Sequence, residues 1–213
     1  MSVFITLEGG EGSGKSTVAP EIARRLRAAG REVVLTNEPG GTALGQHFWA
    51  YLRDPLRPAL SALAELFVFE AARAEHVATV IRPALERGAM VVCDRFGDSS
   101  VAYQGHGRRL GTESVERLNA IATGGLQPGL TLLLDVPVEI GLRRARSLEG
   151  DGAKLTDAIG AESLEFHRRV RDGFAMIAAA DPGRIAVIDA SKPLSEVIEH
   201  SWKAVSRLVL TAP

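Results

Sequence analysis

The chain has 213 residues, 46% of them hydrophobic, and a formal net charge of −1, which suits one globular domain able to bury a core. The near-neutral charge excludes the basic excess of a general nucleic-acid-binding protein, so no nucleic-acid partner is expected. The first residues do not resemble a signal peptide, and no apolar run approaches the ~20 residues of a membrane span, so we expect a cytoplasmic protein without a membrane partner.

Short apolar segments alternate with longer helical patterns along the chain. Strands are predicted at residues 3–7, 32–36, 90–93, 130–134 and 184–188, which are rich in Val, Ile and Leu and lack strict polar alternation. This pattern is typical of a parallel sheet covered on both faces. Helices are predicted at residues 16–29, 59–87, 112–122, 137–147, 162–180 and 193–210, and Pro83 is expected to break or kink the second. The alternation predicts one α/β domain over residues 1–213, with a five-stranded parallel sheet and helices on both faces.

A glycine-rich motif follows the first predicted strand and leads into the first predicted helix. Residues 9–16 read GGEGSGKS and match the phosphate-loop pattern G-x-x-x-x-G-K-[ST]. Glycines allow successive backbone N–H groups to turn toward phosphate oxygens, and the helix N-terminus adds its positive end. The motif therefore predicts a P-loop NTPase fold. The predicted ATP-binding residues are Gly9, Gly10, Glu11, Gly12, Ser13, Gly14, Lys15, Ser16 and Thr17.

The residues around this motif indicate phosphoryl transfer with magnesium. Lys15 brings a cation to the β and γ phosphates, and the Ser16 hydroxyl can ligate Mg²⁺. Asp94 ends the third predicted strand, where a carboxylate can hold the same ion, and Arg95 follows it into the cleft. A phosphate loop alone fits a small-molecule kinase, a GTPase or a motor. No Asn-Lys-x-Asp base-reading motif is present, and a motor of this length would need a larger assembly, so a phosphotransferase is predicted.

Further short motifs follow the phosphate loop. They are EPGGT at residues 38–42, FEAAR at 69–73, DRF at 94–96, YQG at 103–105, LDV at 134–136 and IDA at 188–190. Together with EGGEGSGKST at residues 8–17, they have the order and spacing of bacterial thymidylate kinases, which the chain resembles over essentially its whole length. The resemblance implies ATP as donor, dTMP as acceptor, Mg²⁺ as cofactor and a homodimer, for which the alanine-rich stretch 59–78 adds weak independent support.

The resemblance also implies roles for side chains of the acceptor site. Phe69 would stack on the thymine ring, and Arg73, four residues on and on the same helix face, would bond a base carbonyl. Ser100 and Gln104 would read the base edge, and Arg95 would hold the acceptor's phosphate. The implied acceptor-binding set is Glu11, Glu38, Pro39, Arg53, Phe69, Arg73, Arg95, Ser100 and Gln104.

The phosphate loop carries no cation at its variable positions, which in this family accompanies arginines supplied from a lid. Residues 148–160 contain three glycines and several charged residues, and we predict that they form this lid as a short, exposed, movable loop between two helices. Three arginines stand just before it. The predicted catalytic residues are therefore Lys15, Arg95, Arg143, Arg144 and Arg146.

Three positions depart from the family's pattern, and each loses positive charge where phosphate is handled. Trp49 stands where the family usually offers an arginine to the acceptor's phosphate. Asn37 stands before Glu38, where the family commonly has arginine, and Ala158 replaces a lid arginine. Arg53, one helical turn beyond Trp49, is a candidate replacement. A missing phosphate clamp can cost several powers of ten in rate. Two alternatives therefore stay open: a kinase for another nucleotide or phosphorylated metabolite, and a nucleotide-binding protein with little catalysis.

Overall fold

Five parallel strands form one sheet in the computed structural model, which describes residues 3–54, 56–149 and 159–210. The strands are β1 Phe4–Glu8, β2 Val33–Asn37, β3 Met90–Asp94, β4 Leu130–Asp135 and β5 Ile185–Asp189. Their order across the sheet is β2-β3-β1-β4-β5. This arrangement confirms the predicted α/β fold, and every predicted strand occurs within one residue of its predicted bounds. Because all strands run the same way, the ends of β1 and β3 meet at one edge of the sheet.

Helices cover the sheet on both faces. They are α1 Lys15–Ala28, α2 Ala43–Arg53, α3 Ala62–His76, α4 Arg82–Glu86, α5 Gly97–Ser100, α6 Thr112–Thr123, α7 Val138–Glu149, α8 Leu164–Ala180 and α9 Leu194–Leu210. Helices α2 and α5 were not among those predicted from the hydrophobic pattern. Within the described ranges, no helix is both long enough and apolar enough to cross a lipid bilayer.

The long helix predicted at residues 59–87 is interrupted where its proline comes near. A π-helical turn, Val77–Ile81, separates α3 from α4, and Pro83 occupies the first turn of α4. Proline lacks the N–H that would bond the preceding turn, and its ring crowds the carbonyl four residues back. A wider turn relieves both problems, so the predicted break or kink takes the form of a π-helical turn.

The core explains why the central strands β1, β3 and β4 read as continuous apolar runs, whereas the edge strands β2 and β5 are partly exposed. On one face, Ile5 and Leu7 of β1 pack with Ile22 and Leu26 of α1, and all four side chains are fully buried. On the other face, further apolar clusters cover the sheet, including one built around Phe166 and Phe174 of α8. Burial on both faces leaves no solvent-facing alternation in β1.

Candidate nucleotide and acceptor sites

The phosphate loop begins where β1 ends and leads directly into α1. Gly12 and Gly14 have φ angles of 63° and 94°, which residues with a Cβ rarely adopt. A Cβ atom added at Gly12 would also lie 2.0 Å from the carbonyl oxygen of Gly141 on α7. The backbone of the loop and the helix packed behind it therefore both require glycine here.

Lys15 lies inside the curl of this loop and is buried. Its Nζ donates hydrogen bonds to the carbonyl oxygens of Gly9 and Gly10, at 3.0 and 2.8 Å, and to Ser13 Oγ at 3.1 Å. Burial lowers the pKa of Lys15 to about 8, and repulsion from Arg95 is the second cause. A phosphate entering the loop would give this ammonium an anionic partner and favour its charged form.

Arg95 joins the phosphate loop to the pocket beside it. Its Nη1 donates to the carbonyl oxygen of Gly9 at 3.0 Å, and its Nη2 pairs with Glu11 Oε1 at 3.1 Å. The Tyr103 hydroxyl donates to the same Glu11 oxygen at 2.9 Å, and the guanidinium lies 5.1 Å from the Tyr103 ring centroid. Burial opposes ionisation of Glu11, but Arg95 and the loop lysine outweigh it and lower the pKa of Glu11.

Glu8 supports the turn that carries Arg95. The φ angle of Arg95 is 72°, in the left-handed region that is uncommon for residues other than glycine. The Glu8 carboxylate accepts hydrogen bonds from the Phe96 N–H at 2.7 Å and from Ser99 Oγ at 2.6 Å. Burial, followed by repulsion from Asp98, raises the pKa of Glu8 to about 8. Strained backbone of this kind persists only where surrounding contacts hold it, and here it aims Arg95 at the phosphate loop.

Ser16 and Asp94, the predicted magnesium ligands, lie in one cleft with the phosphate loop. Asp94 Oδ1 is buried and has no hydrogen-bond partner in the described part of the chain. A buried carboxylate oxygen without a partner is costly, and magnesium takes oxygen ligands from carboxylates, hydroxyls and phosphates. These two residues therefore fit a Mg²⁺ ion that also contacts the phosphates of a bound nucleotide.

A second pocket adjoins this cleft next to Arg95. Aromatic rings form much of its wall, with a few polar side chains placed among them, which is the usual lining of a small-molecule site. It is lined by Glu11, Glu38, Pro39, Trp49, Phe69, Arg73, Arg95, Phe96, Ser99, Ser100, Tyr103, Gln104 and Ile159. All members of the predicted acceptor set except Arg53 are among these residues. Arg53 is exposed, and its guanidinium lies 6.0 Å from the ring centroid of Trp49, which itself forms part of the pocket wall.

Arg73 is a fixed part of this pocket, with only 1% of its surface exposed. Its Nε donates to Glu38 Oε2 at 2.9 Å, and its Nη1 donates to Glu70 Oε1 at 2.7 Å. Burial disfavours the charge, but the two carboxylates outweigh it and raise the pKa of Arg73. The remaining partners of its guanidinium are Ser100 Oγ, Asn119 Oδ1 and the Phe96 carbonyl oxygen. Among the described residues this carbonyl oxygen is the hydrogen-bond acceptor for Nη2, which leaves the second Nη2 hydrogen for a ligand.

The three arginines before the predicted lid have different surroundings. Arg143 is exposed, lines the phosphate-loop cleft and makes no side-chain hydrogen bond or ion pair with a described residue. Arg144 also lines the cleft, but its Nη1 and Nη2 donate to the carbonyl oxygens of Ala190 at 2.7 Å and Ser191 at 3.2 Å. Arg146 is exposed and does not line the cleft. The structure therefore distinguishes three residues that the sequence treats alike.

The predicted lid at residues 148–160 lies largely outside the described residues, and Ala158 is among those outside. Ile159 and Gly160, at the C-terminal end of the predicted lid, are buried and not exposed as predicted, and Ile159 lines the acceptor pocket. Glu162 pairs with Arg108, whose guanidinium lies 4.8 Å from the ring centroid of Phe166 on α8. The segment that follows the predicted lid is thus packed against the acceptor pocket.

Several side chains that shape these sites were given no role from the sequence, among them Glu8, Glu70, Tyr103 and Glu65. Tyr103 belongs to the YQG motif, in which a role was predicted only for Gln104. Tyr103 lies on a second π-helical segment, Val101–Gly107, and its hydroxyl donates a hydrogen bond to Glu11. Glu65 precedes Phe69 by four residues on α3 and is 3% exposed. The spacing of four residues puts Glu65 on the same helix face as Phe69, and this spacing is the sequence feature that could have indicated a place in the acceptor site.

The parallel sheet, the phosphate loop and the adjoining aromatic pocket define a P-loop phosphotransferase of the nucleoside monophosphate kinase class. The family model described as Thymidylate kinase matches residues 7–200. The chain is 51% identical over 205 residues to a thymidylate kinase of Desulfovibrio desulfuricans, covering 95% of this chain and 94% of the relative. It is also 51% identical over 212 residues to one from a Synechococcus strain, covering 99% and 98%. This chain belongs to the thymidylate kinase family.

A solved structure agrees with these sequence comparisons. The crystal structure of thymidylate kinase from Ehrlichia chaffeensis matches the fold with a TM-score of 0.77 at 34% sequence identity. The match covers 96% of this chain and 98% of that chain. The likeness therefore extends over the whole fold rather than over the phosphate loop alone.

Proposed function

We propose that this chain transfers the γ-phosphoryl group of ATP to dTMP, giving ADP and dTDP. The position of Arg95 carries the proposal, because this residue lines both the phosphate-loop cleft and the aromatic pocket. A phosphate held at Arg95 would stand between a base in the pocket and the γ phosphate in the loop. Membership of the thymidylate kinase family supports thymine as that base.

The chemistry that these residues support is mainly positioning and neutralisation of charge. An oxygen of the acceptor's phosphate attacks the γ phosphorus while the bond to the β–γ bridging oxygen breaks, so no protein nucleophile is needed. Lys15 and the loop N–H groups would hold the β and γ phosphates, and Arg95 would hold the acceptor's phosphate. Thymidylate kinases generally use Mg²⁺, which Ser16 and Asp94 would hold here and which would neutralise phosphate charge.

A coupled ADP-release assay over a panel of nucleoside and deoxynucleoside monophosphates tests this proposal. We expect the highest kcat/KM with dTMP and no ADP release above background without an acceptor. A clear preference for another acceptor would replace dTMP in the proposal. ATP binding without turnover of any acceptor would favour a nucleotide-binding protein with little catalysis.

One observation gives the altered-acceptor alternative its weight. Of the two arginines that line the pocket, Arg73 is paired with Glu38 and Glu70, and Arg95 is paired with Glu11. Trp49 adds an aromatic wall instead of a third cation. A dianionic phosphate must therefore compete with Glu11 for Arg95. An acceptor other than dTMP stays the second candidate, and the same panel decides between them.

Replacing Phe69 with alanine should raise KM for dTMP about tenfold, with KM for ATP changing less than twofold. The ring is half-buried, lines the pocket and is held edge-to-face against Phe48 at 5.0 Å between centroids. Stacking of a base on an aromatic side chain is worth about 1–3 kcal/mol. Met176→Ala, at an exposed position on α8, is the control. An unchanged KM for dTMP in a folded Phe69→Ala protein would show that the ring does not meet the base.

We also propose that the chain forms a homodimer through an exposed apolar stripe on α3. Leu63 and Phe67 lie one helical turn apart, and each exposes about half of its surface, 49% and 51%. Apolar side chains exposed together at this spacing mark a contact surface. Sedimentation should give a dimer at tens of micromolar, and Phe67→Glu should give a monomer, whereas Met176→Glu should not. A monomeric wild-type protein would refute the dimer.

The cytoplasmic location expected from the sequence stays a prediction.

A further inference from the structure

A buried polar network holds the amide of Gln104 in one orientation. Gln104 Nε2 donates a hydrogen bond of 2.9 Å to Glu65 Oε1, and the two residues are only 2% and 3% exposed. Gln104 lines the acceptor pocket, and its Oε1 has no hydrogen-bond partner among the described residues. One hydrogen of the amide nitrogen is therefore held by Glu65, while the amide oxygen and the second Nε2 hydrogen are left for a ligand.

Glu65 is itself held in place by an ion pair. Arg108 Nε donates to its Oε1 at 3.1 Å, and Arg108 Nη2 donates to its Oε2 at 3.0 Å, which is a bidentate ion pair. The guanidinium packs on the Phe166 ring and pairs with Glu162 through its third nitrogen. A carboxylate clamped in this way can only accept hydrogen bonds. It therefore opposes a flipped Gln104 amide, which would bring two acceptor oxygens together.

The orientation of this amide matters for the choice of pyrimidine. Thymine and uracil present an N–H donor at N3 beside a carbonyl acceptor at position 4. Cytosine presents the reverse, an acceptor beside an amino donor. An amide that offers its oxygen, together with the second hydrogen on Nε2, matches the thymine edge. Cytosine would match only the flipped amide, which the carboxylate disfavours.

We propose that Glu65 is a positioning residue that sets the acceptor's base specificity by locking the Gln104 amide in the orientation that accepts thymine or uracil and rejects cytosine. The inference rests on the proposed function, because it takes the pocket to hold the base of a pyrimidine nucleotide. It assigns to Glu65 a role in discrimination rather than in phosphoryl transfer. A site whose buried polar groups are left unpaired by the wrong base can discriminate by large factors.

The test is the ratio of kcat/KM values for dTMP and dCMP in Glu65→Gln. The variant keeps the side-chain shape but can either donate to or accept from Gln104, so both amide orientations become available. We expect the dTMP:dCMP ratio to fall at least tenfold, while the dTMP:dUMP ratio stays within about twofold because uracil shares the thymine edge. General damage to the pocket would lower all three efficiencies together and leave the ratios in place.

Glu162→Gln is the matched control, because this residue pairs with the same Arg108, whereas the hydrogen bond to the Gln104 amide comes from Glu65. It should keep the wild-type dTMP:dCMP ratio. If Glu65→Gln does not fold because its buried charge balance is lost, the double variant Glu65→Gln with Arg108→Met removes both charges and permits the same measurement.

The outcomes separate this inference from the proposed function. A wild-type protein that turns over dTMP and rejects dCMP, with an unchanged ratio in Glu65→Gln or in the double variant, would overturn the role of Glu65 alone. A wild-type protein that fails to phosphorylate dTMP would overturn the proposed function and this inference with it. A fall in the ratio confined to the Glu65 variants would support the assignment.

Discussion

Replacing Lys15 with alanine should lower kcat for phosphoryl transfer by about a thousandfold while the protein stays folded. The ammonium lies inside the phosphate loop, 2.8–3.1 Å from three loop oxygens, and is the cation that would meet the β and γ phosphates. Removing one charge that stabilises the transition state costs about a hundredfold to a thousandfold, and more when phosphate is involved. Steady-state kinetics with saturating ATP and dTMP would measure the loss.

The pH dependence of ATP binding gives a second readout for the same residue. Burial lowers the pKa of Lys15 to about 8 in the nucleotide-free protein, and an anionic ligand favours the charged form. Above that pH, ATP binding must therefore be accompanied by uptake of a proton by the Lys15 amine. The affinity for ATP should fall as pH rises through 8, by at most about tenfold per pH unit. Lys15→Ala should lose this part of the pH profile, which titration calorimetry can follow.

Two controls make the result interpretable. Lys203→Ala removes an exposed lysine on α9 that lines neither pocket and should leave kcat unchanged. Thermal unfolding should show that Lys15→Ala is folded, because removing a buried ammonium also removes its desolvation cost. Near-wild-type turnover in folded Lys15→Ala would contradict the assignment of the phosphate loop.

The sequence predicts most of the sheet because local pattern and tertiary environment agree there. β1 is buried along its whole length, so its continuous apolar run has one structural interpretation. The phosphate loop is also predictable, since Gly12 and Gly14 satisfy backbone requirements that recur wherever such a loop occurs. In both cases, the residues that determine the structure are close together in the chain.

The parts that were missed depend on contacts between distant residues. The π-helical segment at Val101–Gly107 packs so closely against α8 that a Cβ atom at Gly107 would lie 2.7 Å from the Phe166 ring. Nothing within residues 101–107 indicates that partner. The same holds for Glu65, whose role depends on Arg108 and Gln104, about forty residues away along the chain. Side-chain networks of this kind become visible only when the elements are assembled.

In the acceptor pocket, too, the motifs predict which residues come together, but not how their charges are paired. The resemblance assigns Phe69, Arg73 and Gln104 to one acceptor site, and the three side chains line one pocket. It does not show that Arg73 is already paired with two carboxylates, or that Arg53 is stacked outside the pocket on Trp49. Charge compensation is a property of the assembled site. Whether a predicted cation is available to a ligand therefore depends on neighbours that motif matching does not assign.

Replacing Arg143 with alanine should lower kcat by about a hundredfold or more. Arg143 lines the phosphate-loop cleft from α7, and the described part of the chain gives its guanidinium no competing partner. It is therefore available to a transferring phosphoryl group. Arg144 already donates to two carbonyl oxygens, so Arg144→Ala should act mainly by disturbing the cleft wall and raising KM for ATP. Removing a single transition-state cation has effects of the size expected for Arg143.

Arg146→Ala is the matched control, because Arg146 is an exposed arginine on the same helix that does not line the cleft. It should retain kcat within about twofold, since isolated surface substitutions have small effects.

Ala158→Arg restores the cation that the family usually carries in its lid, and it should raise kcat with dTMP if the wild-type lid lacks charge. If Arg143→Ala, Arg144→Ala and Arg146→Ala all keep wild-type kcat and Ala158→Arg changes nothing, the lid-arginine mechanism is wrong. A loss of kcat confined to Arg143→Ala would instead show that α7 supplies the additional cation that is absent from the variable positions of the phosphate loop.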